Sequence, residues 1–72
     1  MKKISLTLKL DKKADAGYIR IAKRNPKASA KSQIVVEDDH LHGYVVIDLD
    51  QHDRLLGIEL IGYHAMLERN AR

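Results

Sequence analysis

Gly43-Tyr44-Val45-Val46-Ile47-Asp48-Leu49, then Asp50-Gln51-His52-Asp53, then Arg54-Leu55-Leu56-Gly57-Ile58-Glu59-Leu60-Ile61, is the stretch whose reading decides the fold. Both arms are rich in β-branched and aliphatic residues, and the polar tetrapeptide between them reads as a hairpin connection. The arms are therefore read as a fourth strand, Tyr44 to Leu49, and a fifth, Arg54 to Ile61, with Gly62 breaking the latter. Strand alternation sets Val45, Ile47 and Leu49 opposite Tyr44 and Val46, and sets Leu56, Ile58 and Leu60 opposite Leu55 and Ile61. A sheet covered on one side alternates cleanly between apolar and polar residues. These arms carry apolar residues on both sides, so both sides call for cover.

Working outward, Ile4, Leu6, Leu8 and Leu10 alternate with Lys3, Ser5, Thr7 and Lys9, the strongest period-two pattern in the chain. Asp11-Lys12-Lys13-Ala14-Asp15 reads as a turn, because an Asp side chain can accept from the backbone further along. A second strand is expected at about 18–22, with Ile19 and Ile21 on one face. Residues 23–31 hold the single Pro and read as a loop. Gln33 to Glu37, with Ile34, Val35 and Val36, reads as a third strand, and Asp38-Asp39-His40 as a second turn. After Gly62 the period changes. Tyr63, Met66, Leu67 and Asn70 share one side of a helix of roughly two turns, too short to stand without docking. The fold predicted is α+β, mostly β: an antiparallel meander of four to five strands with one short C-terminal helix, as a single domain over residues 1–72.

Composition bounds what such a chain can be. Its 72 residues allow one domain with a marginal core. Small domains are usually reinforced by disulfides, a metal or a partner subunit. There is no Cys, which removes the disulfides and the thiolate metal sites together. At 44% hydrophobic and 32% charged, the chain is too apolar for disorder and too charged to span a bilayer. Its start has no continuous apolar run and no cleavage site, so the expectation is a cytoplasmic protein with no membrane association. The uncovered strand faces and the absence of other reinforcement point to a homodimer or a small protein partner.

The segment Asp11-Lys12-Lys13-Ala14-Asp15-Ala16-Gly17-Tyr18-Ile19-Arg20-Ile21 resembles a pattern D-x-x-A-D-A-x-Y-I. Val46 to Ile61 resembles a second pattern, built around D-x-D, an Arg and Gly-Ile-Glu. In this order and spacing the two are similar to the small bacterial proteins grouped as domain of unknown function 2283, over about residues 4–63. Asp53 departs from the family pattern, which usually has Gly there. Asp tolerates positive φ better than most residues, so the same hairpin stays open to it. The resemblance implies a compact β-rich protein and carries over no catalytic residues.

Three constellations invite a chemical reading. Counted from Asp48, acids stand at positions 1 and 3 and Glu59 at position 12, as in an EF-hand loop. His52 at position 5, Asp53 where Gly is required, and strand flanks make it an acidic hairpin turn instead. On that reading Glu59 shares a strand face with Leu55, Gly57 and Ile61, and is expected to pair with Arg20 or Arg54 or to cap a turn. His40 and His42, spaced i, i+2, would share a face on a strand, but tetrahedral zinc needs at least a third protein ligand. Solvent-exposed loop histidines are the simpler account. The basic run Lys23-Arg24-Asn25-Pro26-Lys27 with Lys31 could meet phosphates, yet Tyr18 is the only ring nearby for base stacking.

Catalysis has little support. No nucleophile elbow surrounds Ser5, Ser29 or Ser32, there is no glycine-rich phosphate loop, and Asp48 with Glu59 is thin ground for acid–base work. No catalytic, cofactor-binding or metal-binding residue is therefore assigned, and no cofactor. The reading is a non-enzymatic protein-interaction module, self-pairing or binding a partner protein, with an antitoxin-like role as one version. The alternatives are a nucleic-acid-associated accessory protein using loop 23–31, and a weak divalent-metal binder at Asp48–Asp53. The net charge of +3 averages +8 over residues 1–32 and −5 over residues 33–72, which suits charge matching between parts better than nucleic acid.

Overall fold

The computed structural model describes residues 1–21 and 30–68. Five strands, β1 (Leu8–Asp11), β2 (Ala16–Arg20), β3 (Ser32–Glu37), β4 (Tyr44–Leu49) and β5 (Leu55–Ile61), are followed by a helix, α1 (Tyr63–Glu68). All pairings are antiparallel. The fold is the expected mostly-β α+β class with one short C-terminal helix.

The strands lie in the order β1-β2-β5-β4-β3. A strictly sequential meander would set β3 beside β2, but β5 takes that place. The sheet is thus two hairpin-like halves, β1-β2 and β3-β4, joined through β5. β3 lies at the edge opposite β1, and residues 21–31 separate it from β2 in the sequence. Of these, the basic run Lys23 to Lys27 lies outside the described residues, as does Asn70 of the expected helix.

The paired part of β1 starts at Leu8, not Ile4. Leu8 stands opposite Ile19, and one row on, Ile21 donates its N–H to the Leu56 carbonyl at 2.8 Å. β2 ends at Arg20. Leu6 consequently has no strand beside it, and Ile4 and Leu6 stay exposed. The alternation in residues 3–10 was thus longer than the ladder it could form.

Register divides the side chains sharply. One row runs Leu8, Ile19, Ile58, Ile47, Ile34; another runs Leu10, Gly17, Leu60, Val45, Val36. Both rows face the same way, and every member is apolar. The opposite face holds Lys9, Tyr18, Glu59, Val46 and Val35 in one row, and Arg20, Gly57, Asp48 and Gln33 in another. A bulge between Asp48 and Leu49 ends the regular pairing.

The helix is seated by the turn between β1 and β2. Asp15, at φ 54°, accepts the N–H groups of Gly62 (2.7 Å) and Tyr63 (3.2 Å) on its carbonyl. Its carboxylate accepts the His64 N–H at 3.0 Å. One residue thereby satisfies three donors at the start of α1, which would otherwise lack partners. Gly62 takes φ 83°, a left-handed turn that suits glycine. Gly43 is required by proximity: a Cβ there would collide with the Ile61 carbonyl and sit 3.0 Å from Met66. Tyr63 is 1% exposed and stacks on the His64 ring.

Candidate functional site: two unlike faces of one sheet

The apolar face is exposed toward both edges. Among its residues Leu8, Leu10, Ile34 and Val36 are exposed, at 39%, 47%, 50% and 40%. Ile19, Val45, Ile47, Ile58 and Leu60 are half-buried. Leu8 and Leu10 lean over Gly17, where a Cβ would stand 3.2 and 3.1 Å from their methyl groups. The result is a continuous apolar surface across all five strands. Soluble monomers rarely expose large contiguous apolar patches.

The polar face is buried at its centre. Val46 is 7% exposed and Asp48 5%. Gly57 stands opposite Arg20 on one side and Asp48 on the other. Its missing side chain admits the Tyr18 phenol, since a Cβ at Gly57 would collide with the Tyr18 hydroxyl and lie 2.7 Å from the Ile19 carbonyl. Gln33 Nε2 donates to Asp48 Oδ1 at 2.8 Å and reaches Glu59 Oε2 at 3.4 Å. Glu59 in turn hydrogen-bonds Asp48, and that bond, with desolvation and the Asp48 charge, raises the Glu59 carboxyl above its ordinary value. The nearby Asp48 charge thus favours the protonated form of Glu59. A shallow groove of about 480 Å³ runs alongside, lined by Lys9, Leu10, Tyr18, Asp48 and Glu59 among others.

The acidic turn between β4 and β5 uses its own oxygens. Asp50 Oδ1 accepts the N–H groups of His52 (2.8 Å) and Arg54 (2.9 Å), and Oδ2 accepts from Arg54 Nε at 3.0 Å. The Arg54 N–H, then the His52 N–H and the Arg54 guanidinium, hold the Asp50 carboxyl below the usual range. Asp53 takes φ 60°, a left-handed backbone at the turn. Of the two arginines expected beside Glu59, Arg54 is thus engaged by Asp50.

The histidines stand at separate places. His40 is in a turn, not on a strand. Asp38 Oδ1 binds its N–H (2.8 Å) and its Nδ1 (2.7 Å), and these bonds lower the Asp38 carboxyl. His42, at φ 61°, lines a small groove of about 250 Å³ with Glu37, Asp38, Asp39 and Tyr44. Both His40 and His42 are exposed residues of the turn between β3 and β4 and share no strand face. Among the described residues no three His, Asp or Glu side chains gather as a metal-binding group. None of their helices is long and apolar enough to cross a membrane.

Fold and faces together define a small antiparallel sheet protein with one open apolar side. The family described as "Protein of unknown function (DUF2283)" matches residues 8–62, and the chain belongs to it. No curated protein and no solved structure matches it at a significant level. The residues that carried the resemblance serve the geometry just described. Asp11 accepts the Ala14 N–H at 3.1 Å to close the first turn, and Asp15 seats the helix. Tyr18 lies over Gly57, and Asp48 pairs with Glu59. Sequence reasoning singled out Asp48 and Glu59 together but missed Gln33 and the Asp15–His64 contact. Strand parity could have placed Gln33 on the Asp48 face.

Proposed function

We propose that this protein is a non-enzymatic interaction module that pairs with a second copy of itself through the apolar face. The supporting observation is the sheet face on which every residue of two five-strand rows is apolar, with β1 and β3 as edge strands among the described residues. Burying such a surface contributes roughly 25 cal/mol per Å². A monomer this short forgoes that contribution when its buried side chains are few. Aligned sheet-on-sheet packing is the usual way two such faces meet, about 10 Å apart. The polar face suits this role as the outward side, since its buried carboxyls already have partners. Cytoplasmic residence follows from the same reading, and pairing with another small protein, as an antitoxin does, uses the same face.

Light scattering after size-exclusion chromatography tests it. The expected mass is twice that of one chain, and Leu60→Glu, at the centre of the face, is expected to yield a folded monomer. A wild-type chain that runs as a monomer at high micromolar concentration sinks the proposal.

A further inference from the structure

We infer that the two copies are related by a two-fold axis parallel to β5, so that the basic turn of each copy sits over the acidic turn of the other. This rests on the self-pairing reading above. β5 is the middle strand of five. A two-fold along it stacks β5 on β5, β2 on β4 of the other copy, and β1 on β3. The alternative two-fold, lying across the strands, stacks each strand on itself with its ends exchanged.

Charge decides between them. The row Asp11, Ala16, Ile61, Tyr44, Glu37 marks one end of the sheet. The β1-β2 turn, with exposed Lys12 and Lys13, leaves that end at one edge. The β3-β4 turn, with exposed Asp38 and Asp39, leaves the same end at the other edge. The axis along β5 exchanges edges and keeps ends, so Lys12 and Lys13 of one copy face Asp38 and Asp39 of the other, twice over. The axis across the strands keeps edges and exchanges ends. It would set Lys12 and Lys13 over the end of that edge carrying Arg20 and the chain bearing Lys2 and Lys3. It would set Asp38 and Asp39 over the end bearing Lys31 and Arg54 beside Asp50 and Asp53, where the charges cancel and fix no register. Like charges juxtaposed at an interface oppose association, and complementary ones fix register.

Zero-length carbodiimide coupling of the wild-type protein reads the arrangement directly. Within one chain the two turns sit at opposite edges, four strand spacings or roughly 19 Å apart. An amide between Lys12 or Lys13 and Asp38 or Asp39 must therefore join two copies. The expected product is a covalent dimer whose peptides carry those links. K12E/K13E is expected to weaken self-association about tenfold, and the further changes D38K/D39K in the same chain to restore it. A dimer by light scattering that couples elsewhere, or is indifferent to K12E/K13E, overturns this arrangement and leaves self-pairing standing. A wild-type monomer removes both.

Discussion

The Asp15 carboxylate reaches His64 twice, taking its backbone N–H at 3.0 Å and its ring Nδ1 at 2.8 Å, across 49 residues of chain. The backbone bond first, then the ring, lower the Asp15 carboxyl. Because this carboxylate caps α1 from outside the helix, Asp15→Ala is expected to destabilise the fold, as loss of an N-cap does. The loss should appear as a lower midpoint in urea, with faster amide exchange confined first to residues 63–67. His64→Ala, which keeps the backbone bond, is expected to cost less. Equal losses from the two would show that the side-chain pair, not the cap, holds the helix.

The polar face predicts an unusual dependence on pH. A carboxyl raised in the folded state contributes stability that is fully present below its unfolded value and lost as pH rises through the folded one. For Glu59, with an ordinary value of 4.5, stability therefore falls as pH climbs from about that point. Asp15, Asp38 and Asp50 are lowered from 3.8, so their contributions are present above that value and lost as pH falls below it. Thermal unfolding should show a maximum in the mildly acidic range. Glu59→Gln, a neutral donor toward Asp48, should flatten the alkaline side of the curve and raise neutral-pH stability by about 1 kcal/mol. An unchanged curve for this variant would show that the Glu59 carboxyl is not raised in the folded protein.

Gly57 is needed for space. Its Cβ would press on the Tyr18 hydroxyl and the Ile19 carbonyl, and the carbonyl belongs to the paired backbone of β2. Gly57→Ala is expected to destabilise by about 1–3 kcal/mol, typical of overpacking. Tyr18→Leu should ease part of that cost in the double variant, a coupling that a denaturation cycle measures. Strict additivity would separate the two residues.

Asp53 strains the turn it closes. At φ 60° a side chain carries a penalty that glycine escapes. Asp53→Gly is expected to raise stability by about 0.5 kcal/mol, since the Asp53 N–H still reaches the Asp50 carbonyl. A loss on denaturant titration would mean that the Asp side chain supports the turn.

Much of the fold is legible in the residues because period-two alternation is strong. The β4 and β5 spans came within a residue of their positions, and the departure of Asp53 from Gly marked a left-handed backbone. Strand order was not legible. Nothing local in β2 or β3 distinguishes neighbours from strands separated by two others, since pairing preferences are nearly degenerate among apolar strands. The surplus of apolar residues in β4 and β5 did signal a sheet needing cover, but not which side. Val46 lies on the face that Tyr18, Gln33 and the carboxyls close over, whereas Leu10 and Ile34, at opposite edges, hold the open one. Asp15 reads as a turn residue in isolation, and its hold on His64 is a property of the tertiary structure alone.

The central place of β5 also has a kinetic side. It is the last strand in chain order, yet both hairpin halves are bonded to it and not to each other. As the chain is made, β1-β2 and β3-β4 emerge as two separate ribbons, each marginal in water. Their union waits for residues 55–61, whose pairing with β2 closes a long loop of sequence. Folding dominated by such distant contacts is slow. Until β5 arrives, the edges it will occupy on β2 and β4 stand open as templates for another strand. A stall in synthesis before residue 55 thus leaves the nascent chain with two unguarded edges, and the cost of a stall is greater here than in a sheet assembled in chain order.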